Sequence, residues 1–223
     1  MPPHPCPYLP GRMATMRVFQ VGQMPGLLYH EFQNASFRRT GELVYQPICA
    51  GCRACIPIRV PIADFAPSKS QRRCQRRNAD LTIDVGIPEL TDEKVDLYQR
   101  YVAIRHDKED PADADSLGQT LYSSPVDTVE FTYRDPAGKL LGVAICDICE
   151  KSISSVYFYY DPDESSRGLG TFSALTEIDL ARQRDIPYWY VGYWIKGCQS
   201  MEYKANFRPH EMLHPDGIWR RGG

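Results

Sequence analysis

At 223 residues the chain can form one large domain or two small ones, and a composition of 43% hydrophobic and 24% charged residues is that of a soluble globular protein. A formal net charge of -2 excludes a uniformly basic surface, and no apolar run reaches the roughly 18–20 residues that span a bilayer. The start, MPPHPCPYLPGRMATMRVF, has no apolar signal core, so a cytoplasmic location with no membrane partner is expected, with the eight cysteines reduced.

Residues 1–18, rich in Pro and Gly, are expected to run extended. GLLYHEFQNASFRR (26–39) predicts a helix through Leu27, Leu28, Phe32 and Phe37, and ELVYQPIC a strand entering a cysteine cluster. CIPIRVPIADF alternates Ile56, Ile58 and Val60 as a strand does, and Pro57 and Pro61 place it at a sheet edge. A helix follows over the basic run, capped by Ser68 or Ser70, then a short strand and turn over 81–90. Thr91 caps a helix over 92–105 with Val95, Tyr98 and Val102 inward, and the acidic loop DKEDPADADS comes next. A soft boundary near residue 90 divides an N-terminal domain (1–90) from a C-terminal one (91–223).

The second half predicts a hairpin around Asp135–Gly138, a strand SISSVYFYYDP, an amphipathic helix from Gly168 to about Arg184, a buried strand IPYWYVGYW, and a short helix near 199–206. The order β-β-β-α-β-α is that of the N-acetyltransferase-like fold. The fold class is therefore α+β: a GNAT-like catalytic half and a smaller cysteine-bearing α/β half.

Four stretches can carry chemistry. KSQRRCQRRNAD packs Lys69, Arg72, Arg73, Arg76 and Arg77 into nine positions with no acidic partner inside the run. A solvated helix face is the bland reading, but uncompensated cations at this density call for a polyanion, and RNA phosphates fit. Cys49, Cys52 and Cys55 form C-x-x-C-x-x-C, which lets thiolates converge on zinc or an iron–sulfur cluster, with Cys6 as candidate fourth ligand and Cys74 as runner-up. Cys146 and Cys149 fall on a strand-like segment, point to opposite faces, and are read as structural. Gly168 and Gly170 form a strand-to-helix turn whose amides can face a phosphate, or simply a tight turn. YVGYWIKGCQSMEYKANFRPHEM sets Tyr190, Tyr193, Trp194 and Tyr203 beside Lys196, Lys204 and Arg208, a mixture suited to a nucleotide or other anion.

Together with CPYLPGR, YQPICAGCRACIPIRV, YxxYxxxRH (Tyr98, Tyr101, Arg105, His106) and VYFYYDPD, these stretches give the chain a resemblance, over nearly its whole length, to the aminoacyl-tRNA–protein transferases of the N-degron pathway. Its short length and C-x-x-C-x-x-C form resemble the bacterial branch. The resemblance implies transfer of leucine from Leu-tRNA to proteins with N-terminal Asp or Glu, marking them for degradation; the eukaryotic branch moves arginine. In eukaryotic relatives the N-terminal half can hold an iron–sulfur cluster, but here Leu9 stands where the first pair's second cysteine is expected. No cofactor is required for the transfer.

The resemblance assigns the tRNA to Lys69, Arg72, Arg73, Arg76, Arg77 and Lys196. The tRNA ester is already activated, so direct aminolysis needs only a proton acceptor, positioning and oxyanion stabilisation. Arg105, Lys204 and Arg208 are candidates for the acceptor's carboxylate, and His106 for the base. Tyr157, Tyr159 and Asp161 share one strand face and are expected to orient the amine. Arginyl transfer, an acetyl-CoA-dependent N-acetyltransferase and a metal- or redox-sensing RNA-binding protein are the alternatives.

Overall fold

A computed structural model describes residues 2–105 and 113–222. The strands are β1 (His4–Pro5), β2 (Met13–Ala14), β3 (Met16–Gln20), β4 (Arg38–Thr40), β5 (Leu43–Pro47), β6 (Ile56–Pro61), β7 (Thr82–Gly86), β8 (Thr128–Arg134), β9 (Leu140–Ile148), β10 (Ser152–Tyr160), β11 (Tyr188–Trp194), β12 (His210–Leu213) and β13 (Trp219–Gly222). The helices are α1 (Gly26–Asn34), α2 (Lys69–Arg77), α3 (Asp92–Arg105), α4 (Ala114–Leu117), α5 (Leu169–Gln183) and α6 (Gln199–Glu202). One eight-stranded sheet runs β13-β12-β6-β11-β10-β9-β8-β7, beside a three-stranded sheet β3-β5-β4 and the small β1-β2 pair.

The β8-β9-β10 meander is antiparallel, and α5 carries the chain across to β11, which lies parallel to β10. This is the expected β-β-β-α-β-α order in an α+β fold. The β9 sequence LLGVAICDI is almost wholly apolar because both of its faces are covered. On one face Phe131, Ala144 and Ile153 pack with Phe172, Leu175 and Ile178 of α5; on the other Val143, Ile145 and Tyr159 pack with Leu97 of α3 and Leu117 of α4.

Three expectations change. Helix α1 stops at Asn34, because Ser36 takes φ +73° and turns the chain into β4; Phe37–Arg39 are therefore not helical. Strand β6 is not an edge strand but lies between β12 and β11. The prolines are tolerated because β12 pairs only with Ile58 and Arg59, so Pro57 and Pro61 fall outside that ladder. Of the acidic loop, residues 107–112 lie outside the described residues, and Ala114–Leu117 form α4. The large sheet also runs across the boundary expected near residue 90, since β6 and β7 are both part of it.

Candidate active site

Strands β10 and β11 pair only at Ser152–Ser154 against Tyr188–Tyr190. A bulge between Ser155 and Tyr157 bends β10, and the β11–β6 register breaks between Tyr190 and Tyr193, where Gly192 has φ +90°. The two strands then part and open a cavity of about 850 Å³. Val156–Phe158 of β10, Val191–Tyr193 of β11 and Gly168–Thr171 at the start of α5 line it. The β10–β11 pairing ends at Ser154, and β10 residues beyond it border the cavity. Gly168, at φ +70°, makes the turn that brings α5 to the cavity.

The charges lining this cavity are unequal. Among the described residues, Arg38, Arg39 and Lys204 line it with basic groups and Glu177 with a carboxyl. Arg39 is neutralised by Asp147, whose carboxylate accepts from Nε at 2.8 Å and from the terminal nitrogen at 2.6 Å. Glu177 is buried; it accepts from Trp189 Nε1 at 2.8 Å and from the Ser173 hydroxyl at 3.1 Å, and burial holds its carboxyl above the usual range. Lys204 is only 8% exposed, and its Nζ donates to the Tyr193 carbonyl at 3.0 Å. Burial, reinforced by the nearby Arg38 cation, lowers its pKa to about 7. A lysine so placed exchanges a proton near neutral pH.

Of the residues expected to orient the amine, Tyr157 lines the cavity and packs against Tyr98 and Tyr101. Tyr159 and Asp161 do not line it. Tyr159 is fully buried in the α3 layer, its hydroxyl 2.7 Å from that of Tyr122. Asp161 is fully buried, bound to Arg100 at 2.9 Å and Lys139 at 2.7 Å, and it caps the turn at Asp163. Burial raises its carboxyl, but these two cations outweigh that and hold it below the usual range. Strand alternation does point Tyr157 and Tyr159 toward α3, but the cavity opens along the strand's edge rather than its face. Lys204 lies in the cavity, whereas Arg208 is exposed and donates to the Ala205 carbonyl. His106 and the side chain of Arg105 lie outside the described residues.

The basic helix sits on the cavity rim. Of the two expected caps Ser68 is the one that caps α2, and it forms a reciprocal capping box with Gln71. Its inward residues dock on the loop before α5: Cys74 Sγ donates to the Gly168 carbonyl at 3.3 Å and Asn78 to that of Arg167 at 3.0 Å. Lys69, Arg72, Arg73, Arg76 and Arg77 are exposed, and among the described residues none has a carboxylate partner. Lys196 is exposed on the loop after β11. A smaller hollow of about 610 Å³ at the β7 edge is lined by Asp84, Glu89, Asp92, Glu93 and Glu130 with Lys94 and Arg134, an acidic excess that disfavours a polyanion.

Cys6, Cys49, Cys52, Cys55 and Cys198 share one neighbourhood close to the cavity residue Tyr8. Burial and the surrounding thiols push the Cys55 thiol up to about 12. Cys49 is engaged by Thr15, whose amide donates to Sγ at 3.4 Å, and Cys52 by Arg12, also at 3.4 Å. Among the described residues no group of three His, Cys, Asp or Glu side chains is arranged as metal ligands. Cys74 is remote from them, buried against Gly168. Cys146 is buried in β9.

Sequence reasoning missed Arg38 and Glu177. The trace of Glu177 was a carboxylate on the inward stripe of α5, four residues from Ser173 and from Ala181. Arg38 left only a pair of adjacent arginines in a segment read as helix.

Comparisons with known proteins identify the family. Residues 4–73 match the family model described as arginine-tRNA-protein transferase, N terminus, and residues 93–214 the one for its C terminus. An aspartate/glutamate leucyltransferase of Pseudomonas putida (strain W619) is 41% identical over 95% of this chain and 91% of its own. Another, of Stenotrophomonas maltophilia (strain K279a), is 42% identical over 93% and 86%. Among solved structures, the C-terminal domain of a protein described as a lysylphosphatidylglycerol synthetase from Agrobacterium fabrum superposes with TM-score 0.53 at 13% identity, over 92% of this chain and 65% of that one. FemX superposes with TM-score 0.50 at 9% identity, over 76% and 60%. The chain thus spans under two thirds of those two structures, and they bear on the fold alone. With both family halves matched in order and the leucyltransferases aligned almost end to end, the chain belongs to the arginine-tRNA-protein transferase family, together with the aspartate/glutamate leucyltransferases.

Proposed function

We propose that the chain is an aminoacyltransferase that moves leucine from Leu-tRNA to the N-terminal Asp or Glu of acceptor proteins, marking them for degradation. The observation that carries this reading is the charge of the splayed-strand cavity: cations in excess, and one carboxyl already engaged by Trp189 and Ser173. Such a site suits an acidic acceptor and an apolar aminoacyl group. An arginyl donor would call for a carboxylate partner, and among the described lining residues the carboxyl is that of Glu177, engaged by Trp189 and Ser173.

The acceptor amine attacks the ester carbonyl directly. A tetrahedral oxyanion forms, then collapses with release of the tRNA 3′ hydroxyl. Neutral Lys204 takes the proton that the amine loses and returns it to the departing 3′ oxygen, and backbone amides of the bulged β10 segment bordering the cavity would donate to the oxyanion. Tyr157 helps to shape the amine's approach. The reaction needs no cofactor because the ester is already activated. The Gly168–Gly170 turn and the docked α2 helix lie together on the rim, where the acceptor stem's phosphates would run toward the cavity.

The direct test mixes purified protein with labelled Leu-tRNA or Arg-tRNA and peptides beginning with Asp, Glu, Lys or Ala. Leucine is expected on the Asp and Glu peptides only. Arginine on those peptides instead would move the chain to arginyl transfer, and saturable acetyl-CoA turnover would replace the reading altogether. For α2, Arg72→Ala with Arg76→Ala is expected to weaken tRNA binding and to flatten its log–log salt slope by about 1.5, at roughly 0.7–0.9 per phosphate contact. An unchanged slope would remove the helix from the tRNA interface.

A further inference from the structure

We propose that Arg38 is the residue that selects an acidic acceptor: its guanidinium takes the side-chain carboxylate of the acceptor's first residue. This rests on the leucyl-transfer reading and adds to it the group that sets specificity. Arg38 is 5% exposed and lines the cavity. Its terminal nitrogens donate to the backbone carbonyls of Phe37 at 2.7 Å and Gly192 at 3.1 Å, while its buried Nε has no partner among the described residues. It lies 5.4 Å from the ring centroids of both Tyr190 and Tyr193.

The contrast with the next residue carries the argument. Arg39 is equally buried, and there the fold supplies a bidentate carboxylate, Asp147. Arg38 has no carboxylate partner among the described residues. Carbonyl dipoles and aromatic faces soften the cost of a buried cation but leave its net charge in place. An anion entering the cavity therefore finds a desolvated, fixed guanidinium, where a charge pair is worth far more than at the surface.

The placement also accounts for the reaction's register. Arg38 holds the Gly192 carbonyl, and Lys204 holds the next one, that of Tyr193. Gly192 holds φ +90°, and a Cβ added there would lie 3.2 Å from Lys204 Nζ, so glycine suits the position between the two side chains. An Asp or Glu whose carboxylate sits on Arg38 carries its own α-amine a few bonds away, toward Lys204. A neutral first residue of the same shape loses the ion pair and with it the alignment of the amine.

The test compares peptides beginning with Glu and with its neutral isostere Gln, with Leu-tRNA as donor, for wild type, Arg38→Gln and Arg38→Lys. Wild type prefers Glu. Arg38→Gln is expected to lower kcat/KM for the Glu peptide about 100-fold, mostly through KM, so that the Glu/Gln ratio collapses toward one. Arg38→Lys keeps the charge and part of the ratio. A preserved ratio in Arg38→Gln, or a rise confined to the KM for Leu-tRNA, would overturn the proposal and make Arg38 a tRNA contact. Should Arg38→Gln fail to fold, Nε–H resonances of 15N-arginine-labelled wild type, assigned with Arg38→Lys, decide the matter. The Arg38 signal moves with the Glu peptide and not with the Gln peptide if the proposal holds, and with neither if it fails. Absence of leucyl transfer by wild type would sink the functional reading instead, and the peptide titration would still report on Arg38.

Discussion

Lys204→Met is expected to lower kcat for leucyl transfer by about 10²- to 10⁴-fold, the span associated with a positioned proton acceptor. The ammonium form of Lys204 has no site for the amine's proton, and the neutral form does. Because burial brings the pKa to about 7, the neutral fraction rises with pH through that value, and wild-type kcat is expected to rise with it. The acceptor's own α-amine, at roughly 7.7–8.0 in free peptides, adds a second limb to kcat/KM. Lys204→Arg separates charge from chemistry: arginine retains the cation and a donor for the Tyr193 carbonyl but does not deprotonate, so it too should be slow. Single-turnover rates between pH 6 and about 9 would test this. A limb near 7 that persists in both variants would exclude Lys204 as the acceptor.

The same lowered pKa makes a stability prediction of fixed sign. The unfolded chain's lysine titrates near its ordinary 10.5, so between about 7 and 10.5 the unfolded state binds more protons than the native state. The Lys204 contribution to stability therefore rises with pH across that window and is flat below it. Lys204→Met removes this dependence.

The largest structural loss is expected for Asp147→Ala, about 3–5 kcal/mol in urea unfolding, because it strands a buried guanidinium. Arg39 and Asp147 are both almost wholly buried, and Thr128 adds a hydroxyl donor to the carboxylate at 3.0 Å. Arg39 lies on β4 of the small sheet and Asp147 on β9 of the large one, so the pair clamps one to the other. Replacing both with apolar residues, Arg39→Met with Asp147→Leu, should recover much of the loss, since no uncompensated charge remains. Arg38 precedes the clamped residue, so Asp147→Ala is also expected to impair the Glu/Gln discrimination. A loss below about 1 kcal/mol would place this pair with ordinary surface ion pairs.

Much of this molecule was written locally. Apolar periodicity marked β8 through β11 and α5 in order, because each strand or helix buries a face whose spacing is a property of its own few residues. Ser68 or Ser70 marked the start of α2 for the same reason, that a cap is satisfied within one turn, and Ser68 fills it. The density of arginines on α2 was equally plain.

What the tertiary structure decided depends on residues far apart in the chain. Strand β6 looked like an edge by its prolines, but the pairing that makes it internal is with β11 and β12, more than a hundred residues on. Tyr157, Tyr159 and Asp161 alternate as a strand must, yet only Tyr157 lines the cavity, because the cavity is made by the parting of two strands and not by one strand's face. Two adjacent arginines are identical to a sequence reader. One meets Asp147 and the other meets the carbonyl of Gly192, and only the fold decides which cation is left for a substrate. A helix or strand follows from local periodicity, but the charge state and reactivity of a buried group follow from desolvation and from its partners, which chain folding brings from elsewhere.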